Sequence, residues 1–194
     1  MRRLSSVGLV APRRGAGTLV KRASEVDGYV QPIDSINELM QYARDTRMEL
    51  SGIGKVRADR DLAAFLECPV GTRWVAARGL RYDGLHSRPI CVTDVYINTA
   101  YKGIEDQLRD YYAGIHALIE RDYGDRIEVI RQEIAAISVN AADAAALGIQ
   151  PGEAALRTSR RYYNGSGRLV EGTISIHPGD LFTYSMQLRR RAKT

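Results

Sequence analysis

Polar side chains alternate with apolar ones along a predicted strand over Arg168–His177. Successive side chains of a strand point to opposite faces, so one face carries a carboxylate, two hydroxyls and an imidazole. This polar face consists of Leu169, Glu171, Thr173, Ser175 and His177, and the other of Val170, Gly172, Ile174 and Ile176. Such a set could form the floor of a small-molecule pocket, where a few convergent polar groups fix the ligand's orientation. The solvated face of a half-buried sheet has the same pattern, and spacing alone favours that simpler interpretation.

Arginines are grouped in two other predicted strands, and arginine can hold a carboxylate or a phosphate through two parallel hydrogen bonds. One group is Arg78 and Arg81, and the other is Arg157, Arg160 and Arg161. Most strand arginines are only surface charges. Arg81 is more interesting because strand parity places it on the half-apolar face of Val75 and Ala77.

The residues that could support catalysis or bind a metal are few. His86, His116 and His177 are far apart and match no metal-ligand spacing. Neither a nucleophile elbow, a P-loop nor a Cys/His signature occurs. The pair Gly15 and Gly17 lacks the third glycine of a dinucleotide fingerprint. The sequence therefore predicts no catalytic residue, no metal and no cofactor, and we expect a protein that is not an enzyme.

The composition indicates one globular domain with an appendage. The chain has 194 residues, of which 44% are hydrophobic, which is enough for a buried core. No apolar run approaches a membrane span, and no long apolar segment follows the basic N-terminus as in a secretory signal. Cys68 and Cys91 show neither metal-ligand nor CxxC spacing, which predicts buried thiols in a cytoplasmic protein with no membrane partner.

The net charge of +5 comes from the two ends of the chain. Of the 28 lysines and arginines, six lie in residues 1–22 and four in residues 189–194, and neither segment has an acidic residue. The body between them therefore carries 18 basic and 23 acidic residues. A mildly acidic body does not by itself indicate a nucleic-acid surface.

The remaining pattern mixes strands and helices without regular βαβ alternation, which predicts an α+β fold. Ser35 and Glu38 form a capping box for a short helix, Asp59 and Asn140 are predicted helix caps, and Gly114 is a possible break between two helices. Predicted strands cover Met48–Val56, Thr72–Tyr82, Pro89–Ile97 and Ile127–Val139. Three further segments are predicted to form an antiparallel meander: Ala154–Tyr163, Arg168–His177 and Phe182–Leu188.

The N-terminal segment predicts a basic β-hairpin. It has apolar Val7–Val10, a turn with Pro12 and Gly15, and a second strand at Thr18–Val20, followed by a non-periodic stretch at 23–34. The stretch Gly8–Val20 resembles the wing of a GntR-type winged helix-turn-helix, which has the form RxGxGTxV. The resemblance implies DNA contacts from Arg2, Arg3, Arg13, Arg14, Gly15, Gly17 and Thr18.

The body resembles the UTRA effector-binding domain of the HutC subfamily of these regulators. The resemblance is carried by Leu80–Gly84, Glu133–Ala136, Gly167–Glu171 and His177–Asp180 in order. It implies a chorismate-lyase-like antiparallel sheet flanked by helices, a homodimer and a small anionic or carboxylate effector. The implied organisation is a remnant of the winged helix at 1–22, a linker and short helix at 23–45, the UTRA domain at 46–188 and a basic tail at 189–194.

Position by position, the resemblance implies effector contacts from six residues. They are Arg81, Thr93, His116, Glu171, Ser175 and His177. At one departure from the family pattern, Thr93 replaces a pocket acid. Two further positions depart: Gly79 replaces the first arginine of an Arg-x-Arg pair, and Gly114 replaces a serine that helps to bind phosphate. These departures favour a carboxylate or a less charged ligand over a sugar phosphate.

Three functional hypotheses follow from these residues. The first is a regulator whose effector-sensing and dimerisation domain dominates this chain, with operator DNA as a partner only if the N-terminal domain is complete. The second is an effector-only protein that does not bind an operator. The third is a small-molecule lyase, which only fold analogy supports.

Overall fold

The structure, a computed structural model, describes residues 10–13, 17–20, 29–32, 45–108 and 114–185. The first three stretches are short strands, and only their backbone pairing with other strands is described. Several predicted features lie outside the described residues: the helix after Ser35, the strand residues before Val10, the tail at 189–194, and Arg2, Arg3, Arg14 and Gly15.

The described part of the chain contains short helices between longer strands. The strands are β1 (Val10–Arg13), β2 (Gly17–Val20), β3 (Tyr29–Pro32), β4 (Arg47–Arg57), β5 (Arg73–Tyr82), β6 (Cys91–Asn98), β7 (Ile127–Ser138), β8 (Ala154–Asn164), β9 (Leu169–Pro178) and β10 (Phe182–Ser185). The helices are α1 (Arg60–Phe65), α2 (Ile104–Gln107), α3 (Ile115–Tyr123) and α4 (Ala141–Leu147). None of the helices described is both long and apolar enough to cross a membrane.

A six-stranded sheet in the order β4-β5-β6-β9-β8-β7 forms the centre of the fold. All of its neighbouring strands are antiparallel. The predicted α+β, chorismate-lyase-like fold is therefore confirmed.

The predicted caps define where the short helices begin. The Asp59 carboxylate accepts a hydrogen bond from the Leu62 backbone N–H at 2.9 Å, and the Asn140 side-chain oxygen accepts one from Asp143 N–H at 2.9 Å. Such bonds satisfy N–H groups that have no partner within the helix. They hold α1 and α4 beside the sheet from the first helical turn.

The two faces of the sheet have separate cores. On one face, Leu118 and Ile119 of α3 pack with Val75, Ile97 and Val170. On the other face, the residues following α1 pack on the sheet through a cluster that includes Leu66, Trp74 and Leu169. We call these the cavity face and the α1 face. The face on which a residue lies decides which other residues its side chain can contact.

The predicted three-stranded meander is wrong in its third strand. β9 already has β6 and β8 as neighbours, so its hydrogen-bonding edges are both occupied. β10 instead pairs in parallel with β3, where Phe182 lies opposite Tyr29. β3 lies within the stretch 23–34 that was expected to have no regular structure, so part of that stretch is a strand.

A β-bulge corrects the predicted alternation in β9. Tyr162 lies opposite Glu171, but Tyr163 lies opposite Leu169, so Val170 is an extra residue. Leu169 packs with Trp74 on the α1 face, while Val170 packs on the cavity face. Because a bulge shifts the parity of a strand, Leu169 does not share a face with Glu171 as predicted. The polar residues from Glu171 onward keep the predicted face.

The N-terminal hairpin is present as β1 and β2, which pair antiparallel from Val10 opposite Val20 to Arg13 opposite Gly17. Its first strand extends beyond Val10, and Pro12 lies in that strand opposite Thr18, where the sequence predicted a turn. Arg13, Gly17 and Thr18 therefore lie close together at one end of this hairpin.

Candidate ligand-binding site

A small cavity of about 40 Å³ lies between the sheet and the start of α3. Five of the six predicted effector residues line it, contributed by three strands and a helix. Its lining in the described residues is Met48, Arg81, Thr93, Val95, Gly114, Ile115, His116, Arg160, Tyr162, Glu171, Thr173 and Ser175.

Arg81 is buried on the cavity face, with 8% of its surface exposed. Its Nη1 donates to the Thr46 hydroxyl at 2.7 Å and its Nη2 contacts the Met48 sulfur at 3.4 Å. Neither of these two partners carries a charge. These two contacts orient the guanidinium at the cavity wall, on the half-apolar face of its strand that the sequence predicted.

Arg160 is a second buried arginine of the cavity, and the sequence analysis missed it. It lies on β8 opposite Thr173, is 4% exposed, and donates from Nε to the Gln132 side-chain oxygen at 2.5 Å. Arg160 lies on the same face of β8 as Thr158 and Tyr162. Once β8 is paired with β9, this alternation places its side chain at the cavity.

Glu171 is the acidic group of the cavity and is 3% exposed. One carboxyl oxygen accepts a hydrogen bond from the backbone N–H of His116, and within the described parts of the chain the buried Oε2 has no hydrogen-bond partner. Burial raises the pKa of Glu171 to about 8, although the charges of Arg81 and Arg160 act in the opposite direction. Desolvation therefore outweighs the two nearby cations.

The start of α3 forms another wall of the cavity. Its N-cap, Gly114, provides no side-chain hydrogen bond, so backbone N–H groups of the first turn are not capped by that residue. The His116 ring stacks on Tyr162 with 5.5 Å between ring centroids and 9° between planes. This stacking holds the helix start against β8.

Two hydroxyls complete the polar wall on neighbouring strands. Thr93 on β6 lies opposite Ser175 on β9, and their hydroxyl oxygens are 2.8 Å apart. Both residues are buried. Thr93, which the resemblance implied as a replacement for a pocket acid, therefore provides a neutral hydroxyl in the cavity.

His177 is buried beside the cavity rather than in its lining. Its Nε2 lies 3.2 Å from the Thr158 hydroxyl, and its ring stacks on Phe182 of β10 with centroids 3.8 Å apart. Burial, with the nearby positive charge of Arg160, lowers the pKa of His177 to about 3. The imidazole is therefore neutral at ordinary pH and packs as part of the core.

A close backbone contact explains why a glycine, Gly79, occupies the position of the first arginine in the family's Arg-x-Arg pair. A Cβ at this position would lie 2.5 Å from the backbone oxygen of Glu49. β4 and β5 shift register next to this contact, between Leu50 and Gly52. The close approach of β4 leaves no room for a side chain, and the second buried cation comes from Arg160 on β8 instead.

The α1 face carries a wider groove of about 450 Å³ next to α1. One arginine of its lining is paired: Arg161 contacts Glu133 and Glu67, and its guanidinium also lies over the Phe65 ring. Across the residues that the structure describes, no group of three or more His, Cys, Asp or Glu is placed to hold a metal.

The antiparallel α+β sheet, with helices and a small cavity on one face, has the chorismate-lyase-like fold. The chain belongs to the UTRA domain family, whose model matches residues 41–183.

Solved structures share this fold at low sequence identity. PhnF from Mycobacterium smegmatis is 22% identical with a TM-score of 0.70, covering 98% of this chain and 82% of that one. The structure of its effector domain is 19% identical with a TM-score of 0.70, covering 84% of this chain and 100% of that one. A GntR-family transcriptional regulator from Bacillus cereus is 18% identical with a TM-score of 0.66, covering 75% of this chain and 99% of that one. No curated protein matches the chain in sequence.

Proposed function

We propose that this chain is the effector-sensing part of a GntR-type transcriptional regulator of the HutC subfamily. Its cavity binds a small anionic metabolite, such as a carboxylate. The observation that carries this proposal is the placement of two buried arginines, Arg81 and Arg160, around one enclosed cavity.

The physical argument concerns the cost of buried charge. A guanidinium that loses its water needs hydrogen bonds and a compensating charge. A ligand oxyanion between Arg81 and Arg160 adds hydrogen bonds and a negative charge beside both cations, and it can bond each guanidinium through its planar fork. The N-terminus of α3, where the His116 N–H already bonds Glu171, carries a partial positive charge that also favours an anion at this place.

The regulatory part of the proposal concerns the segment before the domain. The antiparallel β1–β2 hairpin supports its assignment as the wing of a winged helix, with Arg13, Gly17 and Thr18 near DNA phosphates. β3 follows this hairpin and pairs with β10, whose Phe182 stacks on His177 beside the cavity. An effector that binds two conformations of a homodimer unequally would shift their populations and so change operator affinity. The residues of the cavity act as binding groups here, and we assign a catalytic role to none.

Thermal-shift titrations with a panel of small carboxylates, phosphates and sugar phosphates test the proposal. At least one anion should raise the melting temperature in a saturable way, and Arg81→Gln and Arg160→Gln should each reduce the shift. The matched controls are Arg73→Gln on β5 and Arg157→Gln on β8, two exposed arginines on the same strands. Equal shifts in all four variants would contradict an anion site at the cavity.

A gel shift tests the wing assignment separately. Arg13→Ala should weaken binding to duplex DNA, and the affinity should fall steeply with salt because phosphate contacts release counterions. DNA binding that is insensitive to both Arg13→Ala and salt would contradict the assignment.

A further inference from the structure

One atom of the cavity has no role in the account above. The Oε2 atom of Glu171 is buried and has no hydrogen-bond partner among the described residues, while the other carboxyl oxygen accepts the His116 N–H. A buried polar atom without a partner is costly, and an ionised one is more so. A ligand group within hydrogen-bond distance of Oε2 would remove this cost.

The groups around Glu171 decide what that ligand atom is. Among the described residues, the charged or titratable groups that line the cavity are Arg81 from β5, Arg160 and Tyr162 from β8, and His116 from α3. The phenol of Tyr162 has its pKa raised to about 12 by burial and stays neutral. β4 and β6 contribute groups that carry no charge: Met48, Thr93 and Val95.

An anion that enters between the two arginines meets Glu171 at close range. If Glu171 were ionised, two negative charges would share a water-poor site, which opposes binding. A proton on Oε2 removes the repulsion and turns the atom without a partner into a donor. Burial already favours this protonated form, since it raises the pKa of Glu171 to about 8 in the free protein.

We propose that the cavity binds the anionic oxygen group of its ligand together with one proton on Glu171, whose Oε2 then donates a hydrogen bond to that group. The proton comes from solvent, and no other bond forms or breaks. The ligand group is a carboxylate or a tetrahedral oxyanion, because both present several acceptor oxygens to a site lined by donors. This inference rests on the proposed function, since it concerns the same cavity.

The inference predicts a specific pH dependence. Below about pH 7 Glu171 is already protonated, so the affinity is constant. Above about pH 8 each bound anion takes up close to one proton, and the affinity falls about tenfold per pH unit. The decisive interval, pH 8 to 9.5, lies more than one unit above the ordinary pKa of histidine, about 6.5.

NMR titrations of the full chain with sulfate and with acetate test this dependence, because neither anion titrates between pH 7 and 10. The wild type should lose at least tenfold in affinity between pH 8 and pH 9.5. Glu171→Gln should bind within about threefold of the wild type at pH 7, since the amide also donates, and should keep that affinity to pH 9.5. Glu128→Gln on β7, an exposed position, is the matched control and should behave as the wild type.

Two results would overturn the inference: a wild-type affinity that is flat to pH 9.5, or a loss of more than tenfold at pH 7 in Glu171→Gln. The second would mean that a donor at this position is not what the anion requires of Glu171, since both probe anions have only acceptor oxygens. If the affinity is flat but still depends on Arg81 and Arg160, the inference fails and the proposed function stands. If neither anion binds saturably, or binding is unchanged in Arg81→Gln and Arg160→Gln, both fail.

Discussion

Two arginines three residues apart on β5 show how the faces of the sheet differ. On the α1 face, Arg78 holds both oxygens of Asp94 at 2.8 Å and also bonds Asp143 of α4. On the cavity face, Arg81 bonds a hydroxyl and a thioether and lines an enclosed space. Charges on the α1 face join elements of the fold together. Charges on the cavity face are arranged around a volume that a ligand can enter.

The carboxylates of the two faces differ in the same way. Asp143 accepts hydrogen bonds from Arg78 and from the Asn140 amide, so it is compensated within the fold. Glu171 has an oxygen without a partner and a pKa raised to about 8. Removal of the negative charge should therefore raise the stability of the fold at Glu171 and lower it at Asp143. The following predictions test this difference between the faces, from the largest effect to the smallest.

Gly79→Ala should be the most destabilising of these changes, by about 4 kcal/mol, because its Cβ would meet the Glu49 backbone oxygen at 2.5 Å and overpacking against backbone cannot relax. Gly54→Ala on the adjacent strand has no atom within 4 Å of the new Cβ and should change stability by less than about 0.5 kcal/mol. Urea unfolding measures both. Equal effects would mean that β4 does not constrain the cavity face at Gly79.

Glu171→Gln should stabilise the free protein at high pH. The pKa of Glu171 is raised from 4.5 to about 8, so folding retains a proton that the unfolded chain releases. The stability contribution is fully present below about pH 4.5 and is lost as the pH rises to about 8. Because the amide does not titrate, the variant should be about 3 kcal/mol more stable than the wild type at pH 7, more stable still at pH 9, and nearly equal at pH 4.

The measurement is the free energy of unfolding in urea at several pH values between 4 and 9. A Glu171→Gln variant that is less stable than the wild type at pH 9 would show that the carboxylate is compensated in the free fold.

Asp143→Asn should destabilise the protein by about 2 kcal/mol at neutral pH, because Arg78 loses a charged partner between α4 and the sheet. Its anion affinity should stay within twofold of the wild type, since Asp143 lies on the α1 face. Urea unfolding and an anion titration give the two values. A tenfold change in affinity would contradict the separation of the faces.

Much of the cavity face follows from sequence patterns. Alternation in a strand is enough to place Arg81 with Val75 and to place Glu171, Thr173 and Ser175 together. The caps Asp59 and Asn140 were recognisable because their side chains satisfy nearby N–H groups that the backbone leaves open. Both signals depend only on residues close in sequence.

The remaining features depend on pairings between distant strands. Insertion of β9 between β6 and β8 separates β10 from the predicted meander, and no local pattern indicates its parallel partner β3. The bulge at Val170 exists only in the pairing of β9 with β8, so the shift of Leu169 to the α1 face was not predictable. Arg160 was missed for the same reason, because its place beside Glu171 requires the register of two strands.

Comparing anion binding by arginine variants of the two faces tests the central claim most directly. Titrations with acetate and sulfate at pH 7 would use the wild type, Arg81→Gln, Arg160→Gln and the α1-face variant Arg78→Gln. The account predicts that each cavity-face variant loses at least about tenfold in affinity, which is about 1.4 kcal/mol, while Arg78→Gln keeps its affinity even if its stability falls. A loss in Arg78→Gln equal to that in the other two, or no loss in any variant, would contradict an anion site on the cavity face.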